Sequence, residues 1–338
     1  MSAPIVTGLM AYGMSGRIFH APFLSTNPQF KLKAVVERNQ KKMAAHYPDI
    51  VSYGSVEELL NDSELELIIV NTPNFTHFDF AKQVLRSGKH VLIEKPAAGN
   101  AAEIKELYDV ARENGRKAMV YQNRRWDSDF LSVKQVIESG RLGRLAEVNF
   151  RYDRFKPELS PKPFKETKDT PINGIVYELC PHLIDQVIHL FGKPLSFNKF
   201  TAIQRDNSEV ADYVNFRLVY PAGLVVNLSS GLLIADPVPA FVVHGTVGSY
   251  SKHRVDVQEA QLDKGMLPTD DAYGVEPPAS EGKLVTVGPG GEKSIEFVPS
   301  IKGDYNNLFY AVYHAIRNNT LYPITEEHMT WQMELLEA

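Results

Sequence analysis

Cysteine is almost missing from this chain: Cys180 is the single one among 338 residues. One thiol excludes an intrachain disulfide and any cysteine-rich metal site. Long apolar runs are missing as well, and none approaches the roughly 18 residues that a membrane-spanning helix needs. The opening stretch MSAPIVTGLMAYGMSGRIF lacks the basic flank and long apolar core of a secretory leader. There is no excess of positive charge either. Thirty-six Lys and Arg against 41 Asp and Glu leave a net charge of −5, which argues against non-specific nucleic-acid binding. No repeat or low-complexity tract stands out. These absences lead to the expectation of a soluble cytoplasmic protein, with neither nucleic acid nor membrane as partner.

What is present is ordinary globular material, 43% apolar and 23% charged, in a length that suits two domains. Up to about residue 120, short β-rich runs alternate with helix-like segments. Residues 4–9, 30–36, 65–70, 90–93 and 117–121 read as strands. Helices are expected between them, at residues 55–61, 76–88 and 100–115. Ser55 with Glu58, and Asn100 with Glu103, have the spacing of capping boxes, and Gly88 and Gly115 sit where helices end. Such alternation implies a parallel sheet with helices on both faces.

Beyond about residue 145 the period falls to two. Val148, Phe150 and Tyr152 alternate with Asn149, Arg151 and Asp153. Residues 212–220 and 224–230, joined by Pro221, Ala222 and Gly223, read as an antiparallel hairpin. Residues 241–248 add a strand, and the Gly-, Pro- and Asp-rich residues 262–292 read as a long loop. The expected architecture is an α/β Rossmann domain over residues 1–123. An α+β domain over residues 124–338 follows, built on an open, mostly antiparallel β-sheet.

The loop after the first strand is Ala11, Tyr12, Gly13, Met14, Ser15, Gly16. A dinucleotide loop needs a tight turn, then a residue without Cβ so that backbone can approach the pyrophosphate. It also needs a small residue for helix–strand packing, at a helix N-terminus that favours phosphate charge. Gly13 and Gly16 suit the last two roles, and Ala11 takes the place of the first glycine. Glu37 ends the second strand, where a carboxylate accepts bonds from the adenosine ribose and favours NAD. Arg38 beside it pulls towards the 2′-phosphate of NADP or stacks on adenine. NAD or NADP is the expected cofactor, with NAD favoured.

Four further motifs follow in order: Asn71, Thr72, Pro73 and Asn74 with His77; Glu94, Lys95 and Pro96; YQNRRWDSDF at 121–130; and NGIVYELCPHLIDQ at 173–186. With them the chain resembles the Gfo/Idh/MocA oxidoreductases from the first strand to about residue 330, and is most similar to the scyllo-inositol dehydrogenase-like branch. The resemblance implies an NAD(P)-dependent dehydrogenase acting on CH–OH groups of a sugar, inositol or related polyol. It also implies a homodimer or homotetramer formed through the open sheet. Cofactor contacts are expected from Ala11 to Gly16, Glu37, Arg38, Thr72, Pro73, Asn74, His77, Glu94, Lys95 and Asn123.

Oxidising a carbinol requires a proton acceptor and a positive field at the oxygen. The resemblance puts Lys95 in the second role and His182 in contention for the first, without deciding which of the two moves the proton. Glu178 stands four residues before His182, where the family usually has Asp, and Pro181 between them is expected to interrupt the helix. Arg124 and Trp126 are expected to line the substrate cleft, although a domain-junction cluster explains them equally well. Glu178, His182 and His189 lack the pattern of a metal set, so no metal is expected. Two alternatives stay open: a catalytically silent NAD(P)-binding sensor, and a dehydrogenase or reductase of a non-sugar substrate.

Overall fold

The computed structural model describes residues 3–338; Met1 and Ser2, with which the expected first domain opens, lie outside the described residues. The chain divides into two compact units. One comprises Met1–Asn123, Gln258–Tyr273 and Asp304–Thr330, and the other Arg124–Val257, Gly274–Gly303 and Trp331–Ala338. Two late segments therefore belong with the first unit, which a single cut after residue 123 does not capture. Aromatic packing is the reason. Phe309 stacks on Phe23 with ring centroids 5.0 Å apart, and Tyr305 and Tyr273 meet the same ring at 6.3 and 6.1 Å.

In the first unit, β1 (Ile5–Leu9), β2 (Phe30–Val36), β3 (Val51–Tyr53), β4 (Leu67–Val70), β5 (His90–Glu94) and β6 (Ala118–Tyr121) form one sheet. Its order is β3-β2-β1-β4-β5-β6 and every neighbouring pair is parallel. All four residues of β4 and all four of β6 are buried, as parallel strands covered on both faces require. The edge strand β3 was not anticipated: three residues are too few to show a period. Strand order reverses between β1 and β4, which opens a crevice at the carboxyl ends of the strands.

The helix ends follow the expected chemistry with one difference. Ser55 Oγ accepts from the Glu58 amide at 3.1 Å, and Asn100 Oδ1 accepts from the Glu103 amide at 2.9 Å. The returning carboxylates, however, take the amides of Gly54 and Gly99, one residue before the caps, each at 2.7 Å. Gly88 and Gly115 end their helices with φ of +77° and +60°, the left-handed conformation that favours glycine.

The second unit carries β7 (Leu145–Arg151), β8 (Ser196–Ala202), β9 (Tyr213–Val219), β10 (Val225–Gly231), β11 (Phe241–Gly245), β12 (Gly248–Lys252), β13 (Gly282–Val287) and β14 (Lys293–Val298). They form one sheet in the order β14-β13-β12-β11-β7-β10-β9-β8, antiparallel except between β7 and β10. The alternation at residues 148–152 is real: Val148, Phe150 and Tyr152 are buried. The expected strand at 241–248 is instead β11, a turn at Thr246 and Val247, and the start of β12.

The loop expected at 262–292 is corrected. It holds a helix end and β13, and runs up to β14. Glycine there serves crowding within a strand: a Cβ on Gly282 would lie 1.9 Å from the Tyr250 hydroxyl. The helix around Pro181 is interrupted as expected. It forms Gly174–Glu178 and Cys180–Phe191, with Pro181 in the first turn of the second piece, where its missing N–H costs nothing.

Candidate functional site

Because the strands of the first unit are parallel, the segments after them share one edge. That edge gathers Ala11 to Gly16 after β1, Glu37 and Arg38 after β2, Thr72 to His77 after β4, and Lys95 after β5. Asn123 follows β6 and is buried. The loop after β1 enters a helical stretch at Met14, with a π-helical turn over Gly16–His20. Its two glycines are needed for different reasons. A Cβ on Gly16 would lie 2.4 Å from the Ala11 carbonyl oxygen and 2.9 Å from Asn71 Nδ2, so the fold itself demands glycine there. A Cβ on Gly13 would meet nothing within 4 Å; it would project into open space where a diphosphate can approach the backbone.

Asn71, absent from the expected site, stitches the crevice together. Its Oδ1 accepts from the Ala11 amide at 3.0 Å and its Nδ2 donates to the Ala11 carbonyl at 2.8 Å. The side chain thus behaves like a further strand residue across the reversal point, fixing Ala11 in the place of the usual first glycine. In the sequence it opens the motif that runs to His77, but nothing there shows that its side chain bonds the loop after β1.

Glu37 is more occupied than the sequence suggests. Its Oε1 accepts from the amides of Lys42 and Met43, at 2.7 and 3.1 Å, and its Oε2 from the Ser52 hydroxyl at 2.9 Å. Three of about four acceptor positions on the carboxylate are taken by protein. Beside it lies a cavity of about 370 Å³ lined by Tyr12, Val36, Glu37, Asn39, Gln40 and Lys42. Arg38, Lys41 and Lys42 are exposed around this turn.

His77 is a brace and not a surface contact. It is buried, with Nδ1 2.8 Å from the Pro96 carbonyl and Nε2 2.7 Å from the Thr72 carbonyl. Burial lowers its pKa, against the opposing pull of the two carbonyls and Glu94. Its part at this edge is to hold the loops after β4 and β5 together, which corrects the expectation of a direct cofactor contact. Within the first of these loops, Thr72 and Thr76 share a hydroxyl bond of 2.6 Å, and Thr76 donates to Pro73 O. Asn74 opens a short helical turn, Asn74–Thr76.

Lys95 is joined to Pro96 by a cis peptide bond. The preceding Glu94 has an unforeseen partner: His20 Nε2 lies 2.9 Å from its Oε1, with the imidazole fully buried and the carboxylate 13% exposed. Burial pushes the Glu94 pKa up, but the His20 bond and the charges of Lys95 and His77 outweigh it and hold the group below its ordinary value. Lys95 therefore follows a carboxylate held below its ordinary pKa, at the end of an interior strand. His20 was invisible in sequence, since one histidine on an apolar helix carries no signal of its own.

In the second unit, His182 is largely buried near the start of helix Cys180–Phe191, with its ring 6.2 Å from that of Tyr152. Glu178 belongs to the separate short helix Gly174–Glu178, so the regular i,i+4 relation to His182 is lost. Its carboxylate forms an ion pair with Lys165. Cys180 is buried. The turn Asn123–Trp126 spans the boundary between the units. Arg124 in it pairs with Asp127 at 3.4 Å, and its guanidinium lies 5.4 Å from the Tyr152 ring. Trp126 is partly buried. Arg125, outside the expected set, makes a buried two-point pair with Asp185, both bonds 2.8 Å, anchoring the His182 helix.

The Rossmann site fits a dinucleotide: an open approach at Gly13, a helix start at Met14, and a sheet reversal beneath. Comparison with known proteins agrees. Residues 6–122 match the family model described as an oxidoreductase family with NAD-binding Rossmann fold, and residues 130–251 match the GFO/IDH/MocA C-terminal domain. The chain is 34% identical to scyllo-inositol 2-dehydrogenase (NADP(+)) IolW of Bacillus subtilis, over 99% of this chain and 92% of that protein. Inositol 2-dehydrogenase of Rhizobium meliloti is 27% identical over 61% of this chain and 62% of its own length. Among solved structures, the yvaA oxidoreductase of Bacillus subtilis superposes with a TM-score of 0.93 at 33% identity, covering 99% of this chain and 94% of that one. The YPO2259 oxidoreductase of Yersinia pestis gives 0.92 at 32%, covering 100% and 94%.

Proposed function

This chain belongs to the Gfo/Idh/MocA oxidoreductases, and from that membership we propose that it is an NAD(P)-dependent dehydrogenase of a ring hydroxyl in a sugar, inositol or related polyol. The observation that carries the reading is the placement of Lys95. It follows β5 on the dinucleotide edge of the sheet, beside a carboxylate that His20 holds ionised. The inositol dehydrogenases among the relatives support a cyclic polyol.

An oxidised nicotinamide held at this site would supply the hydride acceptor that carbinol oxidation to a ketone requires. The chain's own residues handle the oxygen. The Lys95 ammonium provides a positive field that stabilises the developing alkoxide. His182 accepts the hydroxyl proton, as an imidazole near neutral pH can. Glu178, paired with Lys165, is a substrate-side contact in this reading. Arg124 and Trp126 remain substrate contacts in this reading. The amides from Gly13 to Gly16 would hold the diphosphate, and Tyr12, Thr72, Pro73, Asn74 and Asn123 would hold the rest of the dinucleotide.

For the cofactor, the engagement of Glu37 weakens the argument for NAD. A carboxylate already satisfied by Lys42, Met43 and Ser52 offers little to a ribose diol, while Arg38, Lys41 and Lys42 surround it with positive charge. NADP is accordingly the proposed partner, in keeping with the NADP-linked name of the Bacillus subtilis relative. Self-association through the outer face of the eight-stranded sheet belongs to the same reading. Ile295, Phe297 and Phe200 on that face are 59%, 65% and 62% exposed, more apolar surface than a free sheet face usually keeps.

The test combines absorbance and fluorescence. With inositols and sugars as substrates, the protein should form reduced dinucleotide, and Lys95→Ala should reduce kcat by about 10²-fold or more, the scale of an electrostatic contact to the reacting oxygen. NADPH should bind tighter than NADH in fluorescence titration. Tight dinucleotide binding with no turnover across the panel favours the sensor; tighter NADH binding defeats the NADP assignment.

A further inference from the structure

We propose that the substrate carries a carboxylate group, seated against Arg154, so that this enzyme acts on sugar acids in preference to neutral polyols. The inference rests on the reaction proposed above and adds the class of substrate. It comes from a second cavity, of about 410 Å³, that lies wholly within the second unit. That volume suits a ligand of monosaccharide size. The cavity is bounded by residues 154–161, which follow β7, and by the short helix Gly174–Glu178 that leads into the His182 helix.

Its walls carry four cations, Arg154, Lys156, Lys165 and Arg205, against three carboxylates, Glu158, Glu166 and Glu178. Most of these charges are committed. The Arg205 side chain, 4% exposed, binds Glu166 at 2.8 Å, Asp212 at 3.0 Å and the Glu158 carbonyl at 3.1 Å. Lys165 is paired with Glu178. Arg154 differs. It is partly buried, and among the described residues no carboxylate lies within 4 Å of it. Its polar contact is the Tyr152 hydroxyl at 3.4 Å, and its guanidinium lies 5.3 Å from that ring. Lys156, on the same wall, is exposed and also has no carboxylate at that distance. The remaining acid, Glu158, is exposed.

A guanidinium withdrawn from water without an anion is costly, and a planar carboxylate matches its fork with two parallel bonds. A neutral polyol would offer only dipoles. The positive field also continues towards the proposed proton acceptor. Arg254 lies 4.2 Å from the centre of the Tyr152 ring, and the His182 ring is 6.2 Å from the same ring. A carboxylate at Arg154 would thus anchor one end of a sugar ring while a ring hydroxyl is presented to the imidazole. A phosphate ester is the less suitable anion, because a dianion with three terminal oxygens calls for more donors than Arg154 and Lys156 provide.

The experiment measures binding by calorimetry to the full chain with NADPH present. The probes are hexuronates and aldonates, their neutral parent sugars, and hexose 6-phosphates. At least one sugar acid should bind tenfold or more tightly than its neutral parent. Arg154→Gln should abolish that preference while leaving the neutral sugar's affinity and the melting temperature unchanged, and Arg154→Lys should keep part of it. Lys156→Gln, at an exposed position, should weaken the acid by a smaller factor and serves if Arg154→Gln does not fold. Equal binding of acids and neutral sugars, equal loss of both in Arg154→Gln, or tighter binding of a phosphate ester overturns the proposal. Turnover of neutral polyols by the unaltered protein, with no sugar acid turned over faster than its neutral parent, would sink the sugar-acid assignment and leave the dehydrogenase standing. Acid-selective binding without formation of reduced dinucleotide would do the reverse.

Discussion

At the scale of single residues, Gly13 and Gly16 separate folding from binding. Gly16 has backbone 2.4 Å from where its Cβ would sit, whereas Gly13 has open space. Gly16→Ala should therefore lower stability by about 1–3 kcal/mol, the range for overpacking a tight site, and show as a lower melting temperature of the free protein. Gly13→Ala should leave that melting temperature unchanged and weaken dinucleotide binding by about tenfold or more, because only the approaching diphosphate would meet the new methyl group. Equal melting losses in the two variants would contradict this division. The same logic explains Ala11. With Asn71 bonding both its amide and its carbonyl, the turn is fixed by a side chain and needs no glycine at its first position.

At the scale of elements, the interrupted helix around Leu179 decides which side chains can act together. Pro181 begins the second piece, and Glu178 ends the first, so the carboxylate and imidazole do not share a regular helical face. What holds the second piece in register is the pair between Arg125 and Asp185, whose side chains are 2% and 3% exposed. Removing one member of a buried pair costs more than the pair contributes, because the remaining charge loses its counterion in a poorly solvated place. Asp185→Ala is expected to destabilise the protein by about 3–5 kcal/mol in denaturant unfolding. Asp185→Asn, which keeps one acceptor, should cost less. A loss below about 1 kcal/mol for the alanine variant would show that Asp185 does not anchor this helix.

At the scale of the whole molecule, stability should depend on pH through two imidazoles, the half-buried His90 and the buried His77. Burial, helped by the nearby Arg116 charge, lowers the His90 pKa from 6.5 to about 4, and its Nδ1 accepts the Lys117 amide at 3.0 Å as a neutral ring must. His77 is displaced in the same direction. Between these values the unfolded chain binds protons that the folded chain refuses. Stability is therefore complete above about pH 6.5 and falls as the pH drops towards about 4. Thermal melts across that window should show a decline of several degrees, at about 2–4 °C per kcal/mol for chains approaching this size, and His90→Asn should flatten it. A wild-type curve that is flat over the window contradicts the assignment. Association belongs at this scale too. Light scattering should give a dimer or larger, and Phe297→Asp, on the outer sheet face, should shift it towards monomer; a wild-type monomer at micromolar concentration would remove the sheet from consideration.

The sequence by itself determined the two architectures and the dinucleotide loop. These depend on local patterns: period-two alternation at 148–152, apolar runs such as 67–70, capping pairs such as Asn100 with Glu103, and glycine where backbone must turn. It missed β3 and misread 262–292, because three residues show no period and because Gly282 is there to clear the Tyr250 ring, a constraint from another strand. Only the tertiary structure decided how the charges are spent. Glu37 turned inward to the amides of Lys42 and Met43, His20 met Glu94, Asn71 closed on Ala11, and Lys165 took Glu178 while Arg154 has no carboxylate within 4 Å among the described residues. Each of these outcomes is fixed by distance across segments far apart in the chain, and electrostatic partnership follows distance, which composition and spacing do not contain.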